Sequence, residues 1–149
     1  MYVVCVVMYQ EDLHTFFGQS DYVTISLPHT AATERMVTMD VLNSAKQDQV
    51  LVNLGRGAVV DEEALIAHLD RSSESCPRIL KGAALDVFTT EPLPSDSPFW
   101  DLENVLVSPH TVDITDHCLR DSASLFVENV GLYLQGEPLR NVVDKEAGY

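Results

Sequence analysis

Short apolar runs rich in β-branched residues alternate with segments of helical periodicity, and this alternation constrains the fold more than any other feature of the sequence. Most of the runs are almost continuously apolar, which is typical of strands covered on both faces of a sheet. Strands that are separated by helices favour a parallel sheet. We therefore predict an α/β fold with strands at residues 2–8, 22–27, 49–54, 79–88 and 104–108.

Polar residues at the start of two periodic segments predict where helices begin. Thr33 is the expected N-cap of a helix over residues 34–45, because its side chain can accept a hydrogen bond from the first turn. Asp61 is the expected N-cap of a second helix. Glu62 and Glu63 then fall in its first turn, where the helix dipole favours negative charge.

Apolar spacing predicts the buried faces of the helices. Leu65, Ile66 and Leu69 form the predicted buried face of the second helix, and His68 is interpreted as a residue of its surface. A longer helix is predicted over residues 115–135, with Gly136 as its stop. Its apolar residues are spaced by three or four positions: Leu119, Ala123, Phe126, Val130 and Leu134.

The acidic balance of the chain excludes several kinds of partner. Lys and Arg number 9 against 23 Asp and Glu, a net charge of −14, so the surface repels nucleic-acid phosphates and anionic lipid. Three widely spaced cysteines without a CxxC argue against a disulfide framework and a zinc site. The run at 2–8 is far too short to span a bilayer. We expect a soluble, cytoplasmic protein with no metal site.

Chemically active side chains follow three of the predicted strands. Arg56 stands between two glycines after the run at 49–54. Asp86 and Glu91 lie at the end of the next run, and His110 follows the last one. Ligands of open parallel sheets bind at the carboxyl ends of the strands, so we expect these groups at one edge. An arginine there can grip a carboxylate at two points, and a carboxylate beside His110 would hold it as a proton donor to a carbonyl.

Ordinary interpretations of these residues stay open. Arg56 is also compatible with a surface arginine in a glycine turn, His110 with a surface or core histidine, and the acids with solvated loop residues. No GxSxG, HExxH or P-loop pattern is present. A hydrolytic triad of Ser108, His110 and Asp113 is disfavoured, because side chains so close in sequence rarely point together.

Four ordered segments carry a resemblance to a known family. They are SDYVTISLPHTAAT (20–33), VNLGRGAVVDEEAL (52–65), GAALDVFTTEPLP (82–94) and NVLVSPHT (104–111). The chain resembles the D-isomer-specific 2-hydroxyacid dehydrogenases in these segments. SPFWDL and the terminal VVDKEAGY are most similar to the glyoxylate/hydroxypyruvate reductase branch.

The resemblance implies a Rossmann-like, doubly wound parallel sheet and hydride transfer between NAD or NADP and a small 2-oxoacid or 2-hydroxyacid. It implies that Arg56 binds the substrate carboxylate and carbonyl, that His110 is the general acid and base, and that Glu91 pairs with it. The implied cofactor-binding residues are Leu27 and Pro28 on the adenosine side and Leu54, Gly55, Arg56, Asp86 and His110 beside the nicotinamide.

One family motif has no counterpart in the chain. The GxGxxG turn that cradles the pyrophosphate should precede residue 20, where Gly18 is the sole glycine. We therefore expect an incomplete Rossmann domain over residues 1–136, lacking its first strand and phosphate turn. Residues 137–149 are expected to form a tail that would pack on a substrate domain outside this chain.

Three functional hypotheses follow, and they leave the enzymatic status of the chain open. The first is a truncated form of an active dehydrogenase that reduces glyoxylate or hydroxypyruvate. The second is a non-catalytic remnant that serves as a binding or oligomerisation module, since a homodimer is possible and unpartnered sheet edges favour association. The third is an unrelated chemistry at His110. The choice between NAD and NADP stays open.

Overall fold

The computed structural model describes residues 12–70 and 79–148. The predicted strand at 2–8 and the polar connection at 71–77 lie outside the described residues. The chain divides into two compact units, the first ending at Pro109 and the second beginning at His110. The predicted domain boundary after residue 136 stays a prediction.

A parallel sheet forms the centre of the first unit. Within the described residues it has four strands: β1 (Tyr22–Ile25), β2 (Gln49–Asn53), β3 (Leu80–Leu85) and β4 (Val105–Val107). They lie side by side in the order β1-β2-β3-β4, and every neighbouring pair is parallel. The predicted parallel α/β fold is confirmed.

Four α-helices occur in the described residues: α1 (Leu13–Gln19), α2 (Met39–Asn43), α3 (Glu62–Leu69) and α4 (Cys118–Gln135). The prediction for α3 is confirmed, because the Asp61 side chain accepts a hydrogen bond from the Ala64 N–H at 3.2 Å. A carboxylate at this position also interacts favourably with the helix dipole.

The predicted start of α2 is wrong. The helix begins at Met39, and its N-cap is Thr38 instead of Thr33. Thr33 instead donates its hydroxyl to the Pro28 carbonyl at 2.6 Å. Residues 35–37 are unavailable to a helix because they pair with residues 58–61, including a parallel bridge between Val37 and Val60.

The core of the first unit lies around the sheet, and α1, α2 and α3 contribute short apolar faces to it. Side chains that are at most 5% exposed include Phe17, Val23, Ile25, Leu42, Leu51, Leu65, Leu69, Leu85 and Phe99. The interpretation of His68 as a surface residue is wrong, since this side chain is only 3% exposed. It lies one turn after the buried Ala64 on the face of α3 that packs on α2 and β3.

Helix α4 dominates the second unit. It begins three residues later than predicted, and Gly136 ends it in the left-handed conformation with φ of 72°, which confirms the predicted stop. None of its residues is buried, and Leu119, Phe126 and Leu134 are exposed. In the described part of the chain, no helix is long and apolar enough to cross a membrane.

Candidate active site at the carboxyl edge of the sheet

Two glycines allow the loops that follow β1, β2 and β3 to touch backbone to backbone. A Cβ on Gly55 would lie 2.5 Å from the carbonyl oxygen of Leu27, which follows β1. A Cβ on Gly57 would lie 1.9 Å from the carbonyl carbon of Phe88, which follows β3. Both distances are well below van der Waals contact, so only glycine fits either position. The segment that carries Arg56 is therefore held between the other two loops.

Arg56 extends from this segment into solvent. Its backbone is extended, with φ of −142° and ψ of 140°, and its side chain is exposed. The guanidinium Nη1 donates a hydrogen bond to the Gly55 carbonyl at 2.7 Å. The remaining guanidinium N–H groups can donate to a carboxylate, which is the interaction that the planar fork favours.

Asn53 organises the turn below Arg56. This residue ends β2 and is only 2% exposed. Its Oδ1 accepts from the Gly55 N–H and its Nδ2 donates to the Arg56 carbonyl, each at 3.1 Å. The backbone carbonyl of Asn53 accepts from the Asp86 N–H at 3.0 Å. The side chain and the backbone of this one residue thus connect the loops after β2 and β3.

Asp86 is a buried acid at the end of β3, with 2% of its surface exposed. The Ser108 hydroxyl donates to its Oδ1, and the Ser108 N–H donates to the Leu85 carbonyl at 2.9 Å. A buried carboxylate needs such donors, because burial without them is costly. The ends of β3 and β4 therefore meet at this carboxylate.

Glu91 lies in the loop after β3 and is exposed. Its Oε1 accepts from the Phe88 N–H at 2.8 Å, which closes the loop on itself. Glu62 of α3 accepts from the Thr89 N–H at 2.6 Å. The loop that carries Asp86 and Glu91 is thus fixed from within and from the first turn of α3.

An ion pair ties the loop after β1 to the start of α3. Arg35 Nη2 donates to Asp61 Oδ2. Burial of Asp61 opposes its ionisation, but the hydrogen bonds from the Ala64 N–H and from Arg35 outweigh that effect, and the pKa of Asp61 lies below its usual 3.8.

The remaining predicted residues are distributed between the two units. Leu27 is 40% exposed, and Pro28 and Leu54 are half-buried at the ends of β1 and β2. His110 is the first residue of the second unit and adopts a left-handed backbone with φ of 53°. This conformation is uncommon outside glycine and often marks functional positions. Its alignment with Arg56 and Glu91 stays a prediction.

The roles of three polar residues at this edge were not predicted from the sequence: Asn53, Glu62 and Ser108. Asn53 carried a usable signal, because an asparagine that ends a buried strand two residues before a glycine is typical of a side chain that bonds to its own turn. Glu62 and Ser108 act on partners more than 20 residues away, so no local pattern indicates them.

The chain matches one known protein family over most of its length. The model of the D-isomer specific 2-hydroxyacid dehydrogenase NAD binding domain matches residues 4–112. The chain belongs to this family. The dehydrogenase match includes all four strands described here, together with Arg56, Asp86, Glu91 and His110.

The chain is similar in sequence to glyoxylate/hydroxypyruvate reductases. Glyoxylate/hydroxypyruvate reductase B of Pectobacterium carotovorum subsp. carotovorum (strain PC1) is 40% identical over 135 residues. The aligned part is 91% of this chain and 40% of that protein. The chain thus spans about two fifths of the length of the curated dehydrogenases that it matches.

Solved dehydrogenase structures share the fold. A D-isomer specific 2-hydroxyacid dehydrogenase from Xanthobacter autotrophicus Py2, in complex with NADPH and MES, superposes with a TM-score of 0.82 and 40% identity over 93% of this chain and 54% of that one. An NADPH-dependent glyoxylate/hydroxypyruvate reductase from Sinorhizobium meliloti, in complex with NADP and sulfate, gives 0.80 and 32% over 93% and 43%.

Proposed function

We propose that this chain carries the hydride-transfer site of an NAD(P)H-dependent D-2-hydroxyacid dehydrogenase that reduces a small 2-oxoacid such as glyoxylate or hydroxypyruvate. The observation that carries the proposal is the fixed presentation of Arg56 at the carboxyl edge of the sheet, with the buried Asp86 carboxylate on the adjoining strand. The named relatives of the chain support the substrate class.

Arg56 is the group that binds the substrate in this proposal. One N–H of its guanidinium is used internally on the Gly55 carbonyl, and the others face solvent. These donors bind the carboxylate of a 2-oxoacid and stabilise the negative charge that grows on its C2 oxygen during reduction. The close backbone contacts of Gly55 and Gly57 fix the turn that carries this donor, and the hydrogen bond to the Gly55 carbonyl ties the guanidinium to that turn.

The edge fits the nicotinamide end of a dinucleotide. The Ser108 hydroxyl donates to Asp86 Oδ1, and we assign this carboxylate to the carboxamide and ring of the nicotinamide. The half-buried Leu54 and Pro28 and the exposed Leu27, at the ends of β2 and β1, are assigned as apolar contacts of the cofactor. A bound NAD(P)H supplies the hydride, and these residues orient it and exclude water from that side.

Proton delivery is assigned to His110. In its protonated form, the imidazole donates a proton to the C2 oxygen of the oxoacid, and in the reverse reaction the neutral ring accepts the proton of a D-2-hydroxyacid. Glu91, whose Oε1 accepts from the Phe88 N–H, is assigned as the acid that supports proton transfer.

Two variants test the proposal with equal changes of charge. Arg56→Gln is expected to lower kcat/KM for glyoxylate by about 100-fold, because it removes a charge that acts in the transition state. Lys46→Gln also removes one positive charge, but Lys46 pairs with Asp21 near the amino end of β2, so kcat/KM should not change. Equal losses in both variants, or no turnover of glyoxylate and hydroxypyruvate with either NADH or NADPH by the wild-type chain, would contradict the proposal.

The second candidate is a non-catalytic binding or oligomerisation module. The observation that favours it is the apolar side of α4, whose Leu119, Phe126 and Leu134 are 70–85% exposed. Exposed apolar side chains of this size are typical of surfaces that bind another protein. A wild-type chain that binds neither cofactor but associates with itself in analytical ultracentrifugation would favour this candidate.

A further inference from the structure

We infer that Asn53 is a positioning residue that sets the direction of the Arg56 guanidinium for carboxylate binding. The inference rests on the proposed function, since it concerns how the substrate-binding arginine is held. The observation behind it is a closed set of hydrogen bonds between one buried amide and the turn that carries the arginine.

The set consists of three hydrogen bonds that share the residues of one turn. Asn53 Oδ1 accepts from the Gly55 N–H, and Asn53 Nδ2 donates to the Arg56 carbonyl. The Gly55 carbonyl in turn accepts from Arg56 Nη1 at 2.7 Å. The Asn53 side chain therefore holds the peptide unit before Gly55 and the peptide unit after Arg56. The peptide unit between these two carries the Gly55 carbonyl that accepts from the guanidinium.

Only an amide performs both tasks at this position. The site requires an acceptor toward one N–H and a donor toward one carbonyl, and an asparagine side chain provides both in one plane. A carboxylate of the same size would keep the acceptor but would place a negative oxygen against the Arg56 carbonyl. A leucine of similar shape would offer neither group.

The same strand provides a matched control. Gln49 is also a completely buried amide, with 0% exposure, and it lies at the other end of β2. Its Nε2 donates to the carbonyls of Phe17 and Ser20, each at 2.7 Å, so it joins α1 to the sheet. A loss of stability that follows from replacing any buried amide should appear in the variants of both residues. An effect on Arg56 should appear only in the Asn53 variants.

The first measurement follows the arginine directly by nuclear magnetic resonance of the full chain. The Nε–Hε signal of Arg56 is identified by its loss in Arg56→Lys. Asn53→Leu and Asn53→Asp are expected to shift and broaden this signal and that of the Gly55 N–H, and Gln49→Met should leave both unchanged. Wild-type signals in a folded Asn53→Asp variant would overturn the inference.

The second measurement is the affinity for oxamate, an unreactive analogue of a 2-oxoacid, with the same variants. The Kd is expected to rise about tenfold in the Asn53 variants and to stay at the wild-type value in Gln49→Met. An unchanged Kd would overturn the positioning role, as would loss of the fold in both Asn53 variants while Gln49→Met folds. Absence of oxamate binding by the wild-type chain would instead count against the proposed function, while the Arg56 signal still decides the role of Asn53.

Discussion

At residue 57 the structure leaves no space for any side chain, because a Cβ there would lie 1.9 Å from the carbonyl carbon of Phe88. Gly57→Ala is therefore expected to lower the free energy of unfolding by about 3 kcal/mol, since the backbone of the loop after β3 must move. Gly131 of α4 is the control: a Cβ there meets nothing within 4 Å. Gly131→Ala should raise stability by about 0.5–1 kcal/mol. Urea denaturation of both variants checks this, and equal effects would contradict it.

The hydroxyl of Ser108 is expected to stabilise the fold through Asp86. Ser108→Ala removes a donor to a buried carboxylate and should cost about 2 kcal/mol of unfolding free energy. Ser124→Ala is the matched control, because that hydroxyl donates to a carbonyl on the exposed surface of α4. If chemical denaturation shows no difference between the two variants, Ser108 does not support the acid.

The reactive side chains at the strand ends were predicted from the sequence, whereas the residues that position these side chains were not. Arg56, Asp86 and Glu91 lie after the strands at which the pattern placed them. Ser108 acts on a partner that becomes its neighbour only when the sheet forms, whereas Asn53 bonds to its own turn, so its role could have been predicted from the local sequence. His68 was misjudged for the related reason that its burial depends on which side of α3 meets α2 and β3.

Among the elements, the start of α3 has the clearest dependence on pH. The pKa of Asp61 is lowered in the folded chain, so its contribution to stability is fully present above 3.8 and is lost as the pH falls through the lower, folded value. Asp61→Asn keeps a capping side chain but loses the charge paired with Arg35.

The wild type should be about 1 kcal/mol more stable than Asp61→Asn at neutral pH, and the difference should shrink as the pH is lowered below 3.8. Thermal unfolding at several pH values measures the difference. The same change made in an Arg35→Gln background should show a smaller difference, because the partner of the charge is gone. A stability difference between the wild type and Asp61→Asn that grows as the pH falls would contradict this prediction.

Elements with uninterrupted periodicity were predicted well, and the one that failed shows the limit of local pattern. The strands and α3 follow their apolar spacing closely. The segment at 34–38 also has helical spacing, but its backbone groups are used by pairing with residues 58–61. Long-range pairing of this kind overrides a helical preference, and a single segment gives no sign of it.

For the whole molecule, the parallel sheet and the family could be predicted from the sequence, whereas the order of the strands is known only from the structure. Cofactor affinity depends on whether the chain contains a phosphate-binding turn. Its sequence has no GxGxxG, so no glycine-rich turn presents backbone N–H groups to a pyrophosphate. The net charge of −14 also opposes an anionic dinucleotide. We expect this chain to bind NADH and NADPH no more tightly than the micromolar range.

Titration of cofactor fluorescence measures this affinity directly. Added salt should screen the repulsion between the acidic chain and the anionic dinucleotide, so the affinity should not fall steeply as the ionic strength rises. A submicromolar Kd would mean that another part of the chain performs the task of the missing turn.

The close contacts at residues 55 and 57 have a consequence for how substrate preference can evolve. A guanidinium mounted on a backbone that cannot shift reaches acids of different length only by rotating its own side-chain bonds. New specificity is therefore expected to arise from residues outside this turn, while the backbone of the arginine stays a fixed reference point for the carboxylate.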